Sequence, residues 1–322
     1  MFSLVIIDRY SQGQYFIQCG YIQYSGFLIG NSFSNSNNID ISNTCINQNF
    51  TNTSVDISYF GLIGTNIAKM SFKQSIITLI AKGTLNYFAV IGFYGGDFQK
   101  ELINTIISVN HQNCLAGYGN AIIVAKIEQN SFLVQNVSLN KNNLNSKANT
   151  GGLFGYAGNT NYTILDLHIS NFNFTSTTYT GCIFGYQVKD YTTISIQNST
   201  FQNMNITGSG YTGGLAGSFG QQQSIFQLLN TTLKSSNVTS QEVYSGSFMG
   251  CAYQGLVQIK NTTLTQIRLK GSSAKFLIGI DLSKSTYDIS TSCSTDVNYI
   301  NDVLISNCAD FGNTPTKTTT GC

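Results

Sequence analysis

Two patterns of apolar and polar positions run along the chain in phase. The first is a strand-like alternation, apolar-x-apolar-x-Asn-x-x-apolar, seen as Ile39, Ile41, Asn43, Ile46 and as Phe132, Val134, Asn136, Leu139. It returns with its asparagine at Asn171, Asn198, Asn230 and Asn261, and in weaker copies at Gln74 and Asn104. The second reads apolar, apolar, Gly after one or two small residues. Its clear copies are Gly151-Gly152-Leu153-Phe154-Gly155, Gly181-Cys182-Ile183-Phe184-Gly185, Gly213-Gly214-Leu215-Ala216-Gly217 and Gly246-Ser247-Phe248-Met249-Gly250. Looser copies end at Gly30, Gly64, Gly92, Gly117 and Gly279, and the nine final glycines average about 31 residues apart. The polar positions of the first pattern step by 27 to 35 residues, so both patterns share one period.

Alternation with period two marks a strand with one buried face. The asparagine that ends it suits a tight corner, because Asn tolerates the left-handed conformation and bonds its own backbone. The glycine motif predicts a separate strand where the chain bends or neighbouring backbone comes close. A coil of about 31 residues cannot close a core alone, whereas stacked coils bury one continuous column. The expected fold is therefore all-β: a parallel β-solenoid of about nine coils, a rod on the order of 40 Å long at one strand spacing per coil. The solenoid is placed at 1–285, with 1–25 as an N-terminal cap or partial coil and 286–322 as a Cys/Ser/Thr-rich C-terminal cap or tail.

Composition sharpens this picture. Only 9% of the 322 residues are charged, and 35 Asn, 35 Ser and 33 Thr stand beside 31 Gly and one Pro. Helices prefer Ala, Leu, Glu, Lys and Arg on their surfaces, so the polar surface here is that of a β protein. A net charge of +2 gives no basic face for nucleic acid. No run of 18 apolar residues predicts a membrane span.

The G-G-L-F-G, G-C-I-F-G and G-G-L-A-G copies resemble GLUG repeats, over most of residues 20–285 and most strongly from 150 to 280. That resemblance implies a right-handed parallel β-helix of the pectin-lyase-like class, in a large surface protein of a unicellular eukaryote. It implies no particular activity.

The ends and cysteines bear on compartment. Residues 2–7 are apolar, but Asp8 and Arg9 follow at once, so no signal-peptide core is legible and the chain is read as a fragment of a longer one. Of the eight cysteines, Cys114 and Cys182 fall in one register two coils apart, too far to bridge. They are read as free thiols, while Cys293, Cys308 and Cys322 are placed to form a capping disulfide. Ten N-glycosylation acceptors, at Asn49, Asn52, Asn136, Asn161, Asn173, Asn198, Asn205, Asn230, Asn237 and Asn261, are not far above what so much Ser and Thr gives by composition.

Catalysis finds little support. Polysaccharide-cleaving β-helices need carboxylates at set separations. The fourteen acids here recur in no register, and Asp166 and Asp190 fall in different parts of their repeats. Arg268-Leu269-Lys270 lacks the acidic motifs that would make it a substrate site, and His168, between inward Leu167 and Ile169, is expected to point outward. No C-x-x-C or adjacent His suggests a metal. No enzyme activity, metal or cofactor is expected.

One constellation suggests binding. If Leu153, Ile183 and Leu215 face inward, then Phe154, Tyr156, Phe184 and Tyr186 face outward, with Tyr118 in phase. Stacked coils would align them into an aromatic strip that receives a sugar or a partner protein. The expectation is a non-catalytic, extracellular or cell-surface adhesion or structural-display module that binds a glycan or surface protein along one face. A carbohydrate-active lyase or hydrolase, or a purely structural spacer, are the alternatives.

Overall fold

The computed structural model describes residues 3–305 except 8–9, 18–21, 33–37, 53–56, 67–68, 96–99, 129, 141, 147–148, 159, 188–190, 221–222, 243, 276, 283–284, 291–297 and 301–302. Every regular element in these residues is a strand. One wall is a ten-stranded sheet that takes one strand from each pass of the chain, from Ser3–Ile7 to Thr286–Ser290. All of its pairings are parallel. The chain is a parallel β-solenoid, with ten passes through this wall where about nine coils were expected. The wall extends one strand beyond residue 285.

Register explains why the coils stack. Val134, Ile164, Ile196, Leu228 and Ile259 pair in one column, and all five are fully buried. Each coil thus repeats the same inward residue one strand spacing further on, and the core is a column of like side chains. Phe154 and Phe184 stack with centroids 5.3 Å apart, and Tyr162 packs against both.

The corner after this wall is the asparagine position. Asn43, Gln74, Asn104, Asn136, Asn198, Asn230 and Asn261 all have φ between 49° and 51°. The backbone N–H groups of the first six donate to the carbonyl of the residue before the next corner, as Asn136 does to Leu165 and Asn198 to Leu229. Side chains form a second chain of bonds: Nδ2 of Asn136 donates to Oδ1 of Asn104 at 2.8 Å, Asn230 to Asn198 at 3.2 Å and Asn261 to Asn230 at 3.2 Å. The next residue adds a third. Hydroxyls of Thr44, Ser75, Thr105, Ser199, Thr231 and Thr262 donate to the carbonyl two residues back, at 2.7 to 3.1 Å.

At one coil the expected corner is displaced. Asp166, with φ of 53°, holds the place assigned to Asn171, and its N–H donates to Gln197. The inward pair of that strand is Tyr162 and Ile164 rather than Leu167 and Ile169. Asn171 belongs to a second bend, at Asn171, Asn203, Ser235 and Gln266, again with positive φ. There Nδ2 of Asn171 donates to Asn140 and that of Asn203 to Asn171. Leu167 and Ile169 are nonetheless buried, and His168 between them is half-exposed, as the alternation predicts.

The glycine motif is a pinch. The chain bends at Gly152–Leu153 and at the equivalent residues of later coils, between Thr180–Gly181 and Phe184–Gln187 in one copy and Thr212–Gly213 and Ala216–Phe219 in the next. A Cβ on Gly185 would lie 2.7 Å from both the Gly155 oxygen and the Thr150 nitrogen, so only glycine lets the backbones meet there. Near the C-terminal end, Asn298–Ile300 pairs antiparallel with Val303–Ile305.

Candidate binding faces

The bend corrects the outward aromatic strip. Alternation carries across an unbroken strand only, and the bend at Gly152–Leu153 resets it. Leu153 and Phe154 therefore both point inward, as do Ile183 and Phe184, and all four are 0% exposed. Phe154 and Phe184 are core residues and touch no partner. Tyr156 and Tyr186 remain half-buried at the surface, with rings 5.8 Å apart, and Lys126 Nζ sits 5.6 Å over the Tyr156 ring. Tyr118 lies in the strand Ile106–Asn120, but its side chain falls outside the described residues.

A different aromatic strip stands in its place. Tyr179, Tyr211 and Tyr244 occupy one register, each just before its Thr/Ser-Gly, and are half-buried. Tyr211 stacks on Tyr179 at 5.3 Å and 16° and on Tyr244 at 5.7 Å and 13°. Tyr179 also meets Tyr186 at 4.3 Å, which joins this column to Tyr156. Tyr253 donates its hydroxyl to Tyr179. Five rings from four coils form one continuous run. The signal was in the sequence as Tyr179-Thr180-Gly181, Tyr211-Thr212-Gly213 and Tyr244-Ser245-Gly246, immediately ahead of the motif.

The stacking decides what this strip offers. Both faces of Tyr211 are covered by neighbouring rings, so a sugar cannot lie on it; edges and hydroxyls are what a partner meets. Burial pushes the phenols of Tyr179, Tyr186 and Tyr211 above their ordinary value. Tyr253 rises well above it, through burial first and then its neighbours Cys251 and Tyr179. At neutral pH the strip is an uncharged row of hydrogen-bonding hydroxyls.

The remaining candidate groups stay apart. Lys73 pairs with Glu101 at 3.0 Å and Lys260 with Asp288 at 3.1 Å, on separate coils. Among the described residues no three of His, Cys, Asp and Glu gather as a metal site, and no helix is long and apolar enough to cross a membrane. Cys45 and Cys182 are free thiols, burial pushes the Cys182 thiol up, and the Cys251 Sγ donates to the Ala252 carbonyl at 3.7 Å. Cys293, Cys308 and Cys322 lie outside the described residues. Arg268 and Lys270 are exposed on the flat wall after the second bend. Comparison with protein-family models, with curated proteins and with solved structures finds no match to this chain.

Proposed function

We propose that this solenoid is a non-catalytic adhesion or structural-display module, secreted or on a cell surface, that holds a partner along one face. The observation that carries the reading is the tyrosine run, half-exposed over four coils and spanning Tyr156 to Tyr244. Tyr is enriched where proteins meet, because it combines apolar area with a hydroxyl. Since the ring faces stack on one another, a surface protein suits the strip better than a glycan does. The G-G-L-F-G, G-C-I-F-G and G-G-L-A-G copies support grouping the chain with GLUG-repeat surface proteins.

A structural spacer is the second reading, favoured by the asparagine ladders, which bond within the rod and need no ligand. Binding of the purified protein to surface-protein extracts of its own cells separates the two. Wild type should bind, and Tyr211→Ser, which opens the middle of the run, should bind at least tenfold more weakly while melting within a few degrees of wild type. Equal binding by both overturns the tyrosine run as the binding face, and none by either leaves the spacer. Compartment has its own test: intact mass of the native protein, with and without reduction and N-glycan removal. Mass shifts place it outside the cytosol; a bare, reduced chain would make it an intracellular scaffold.

A further inference from the structure

The tyrosine run also carries a chemical inference that needs no partner. Tyr179 stands just before the glycine pinch of its coil, and Tyr186 just after it in the strand Phe184–Gln187. Their ring centroids are 4.3 Å apart with the planes tilted by 36°. Rings so close have carbon atoms in van der Waals contact, at about 3.5–4.0 Å. The other pairs of the run stand further apart: Tyr179 and Tyr211 at 5.3 Å, Tyr211 and Tyr244 at 5.7 Å, Tyr156 and Tyr186 at 5.8 Å. All five rings are half-exposed, so an oxidant reaches them from solvent.

Phenols in contact have a specific oxidative chemistry. A tyrosine that gives up one electron and its O–H proton becomes a neutral phenoxyl radical, whose unpaired electron lies partly on the ring carbons ortho to the oxygen. Two such radicals join through a new ortho C–C bond. Each ring then passes its ortho hydrogen to its own oxygen, which restores both phenols. With hydrogen peroxide as the oxidant, turned over by a haem peroxidase, two tyrosines and one peroxide give one dityrosine and two waters. The peroxide O–O bond breaks and takes up the two electrons and two protons. We propose that Tyr179 and Tyr186 are a site of this oxidative coupling, and that the bond formed staples the two arms of the glycine pinch. The inference goes beyond the binding face and does not depend on it.

Contact, not exposure, selects the pair. Tyr191 is more exposed than any ring of the run, at 64%. Its ring meets no other among the described residues, so a radical there has only a second molecule to join. Within the run, a radical on one ring passes to the next by electron transfer between touching rings, and two radicals combine where the rings are closest. The Tyr253 hydroxyl donates to the Tyr179 oxygen. That bond survives the loss of Tyr179's own proton and steadies the radical there. The competing sink is the Cys251 thiol, a neighbour of the Tyr179, Tyr186, Tyr211 and Tyr253 phenols. It is fully buried and donates to the Ala252 carbonyl, which keeps it from the oxidant.

The test is treatment of the dilute full chain with a haem peroxidase and limiting hydrogen peroxide, read by dityrosine fluorescence, intact mass and tryptic peptide mapping. Trypsin cuts after Lys147, Lys189 and Lys234, so Tyr179 and Tyr186 share one peptide. Tyr191 and Tyr211 fall in the next peptide, and Tyr244 in the one after it. Wild type should stay monomeric, gain dityrosine fluorescence and lose two hydrogens from the peptide 148–189 alone. Tyr186→Phe keeps the ring and removes the phenol, and it should lose both signals at an unchanged melting temperature. Tyr156→Phe and Tyr191→Phe should couple as wild type does. The inference is overturned if the product is a dimer joined through Tyr191, or if the link joins two peptides or a tyrosine to Cys251. It is equally overturned if Tyr186→Phe still loses two hydrogens from that peptide, or if no dityrosine forms while N-acetyltyrosine couples in a parallel reaction.

Discussion

Asparagine at the first corner serves three demands with one residue. It accepts a φ near 50°, its N–H reaches the next coil, and its side chain joins an amide ladder. Alanine at Asn198 keeps only the backbone bond and is strained at positive φ. Asn198→Ala is expected to destabilise the rod by about 1–2 kcal/mol, read as a lower melting temperature. The opposite change is available one coil earlier. Asp166 stands in the corner register with a carboxylate, which has no N–H to pass to Asn136. Asp166→Asn should therefore raise stability by about 1 kcal/mol. If alanine were harmless at 198 and asparagine harmful at 166, the ladder would be decoration. At this scale the sequence was mostly legible, because a corner that needs positive φ selects Asn strongly. Asp166 escaped because Asp meets the backbone demand without matching the motif. Taking Asn171 instead left uneven steps of 35 and 27 residues, whereas Asp166 restores 30 and 32.

Elements were legible where a strand runs unbroken and illegible across the pinch. Along Thr193–Gln197 the rule of alternation holds, with Ile194 and Ile196 buried between half-exposed neighbours. Across Gly181 to Phe184 it fails, since two consecutive residues turn inward around a bend that periodicity does not encode. That single failure moved Phe154 and Phe184 from the expected surface strip into the core, while Tyr156 and Tyr186 kept their places. The tyrosine run that exists instead has a consequence in alkali. The phenols of Tyr179, Tyr186, Tyr211 and Tyr253 are raised above 10.0, the value for an unperturbed phenol, chiefly by burial, so folding favours their protonated form. The stability this contributes is complete below pH 10.0 and is lost as pH rises through the folded-state values. Tyrosinate absorbance should show a group of tyrosines titrating later than the rest, with the melting temperature falling above pH 10.0. A single titration centred at 10.0 would mean that the strip is solvated and its stacking loose.

At the scale of the molecule, the coils are interchangeable parts. Each contacts only its neighbours, and the columns of Asn, Ile and Tyr keep their identity from one coil to the next, so stability is a sum of coil and interface contributions. Removal of residues 198–229 tests this directly, because Asn198 and Asn230 are separated by one period of 32 residues. The join places Asn230 after Gln197. Asp166 keeps its bond to the Gln197 carbonyl and Asn230 its bond to Lys260. Tyr244 arrives beside Tyr179, Leu233 beside Ile169 and Ile259 beside Ile196, so these three columns close on residues of their own kind. The shortened chain is expected to fold, with an unchanged β spectrum per residue and a melting temperature lower by a few degrees for the interface lost. Removal of 198–213 alone, half a period, sets the corner against the glycine pinch, and that chain should not unfold cooperatively. If the two deletions behaved alike, the repeat would not be the unit of folding, and the core would have to be read as one indivisible body.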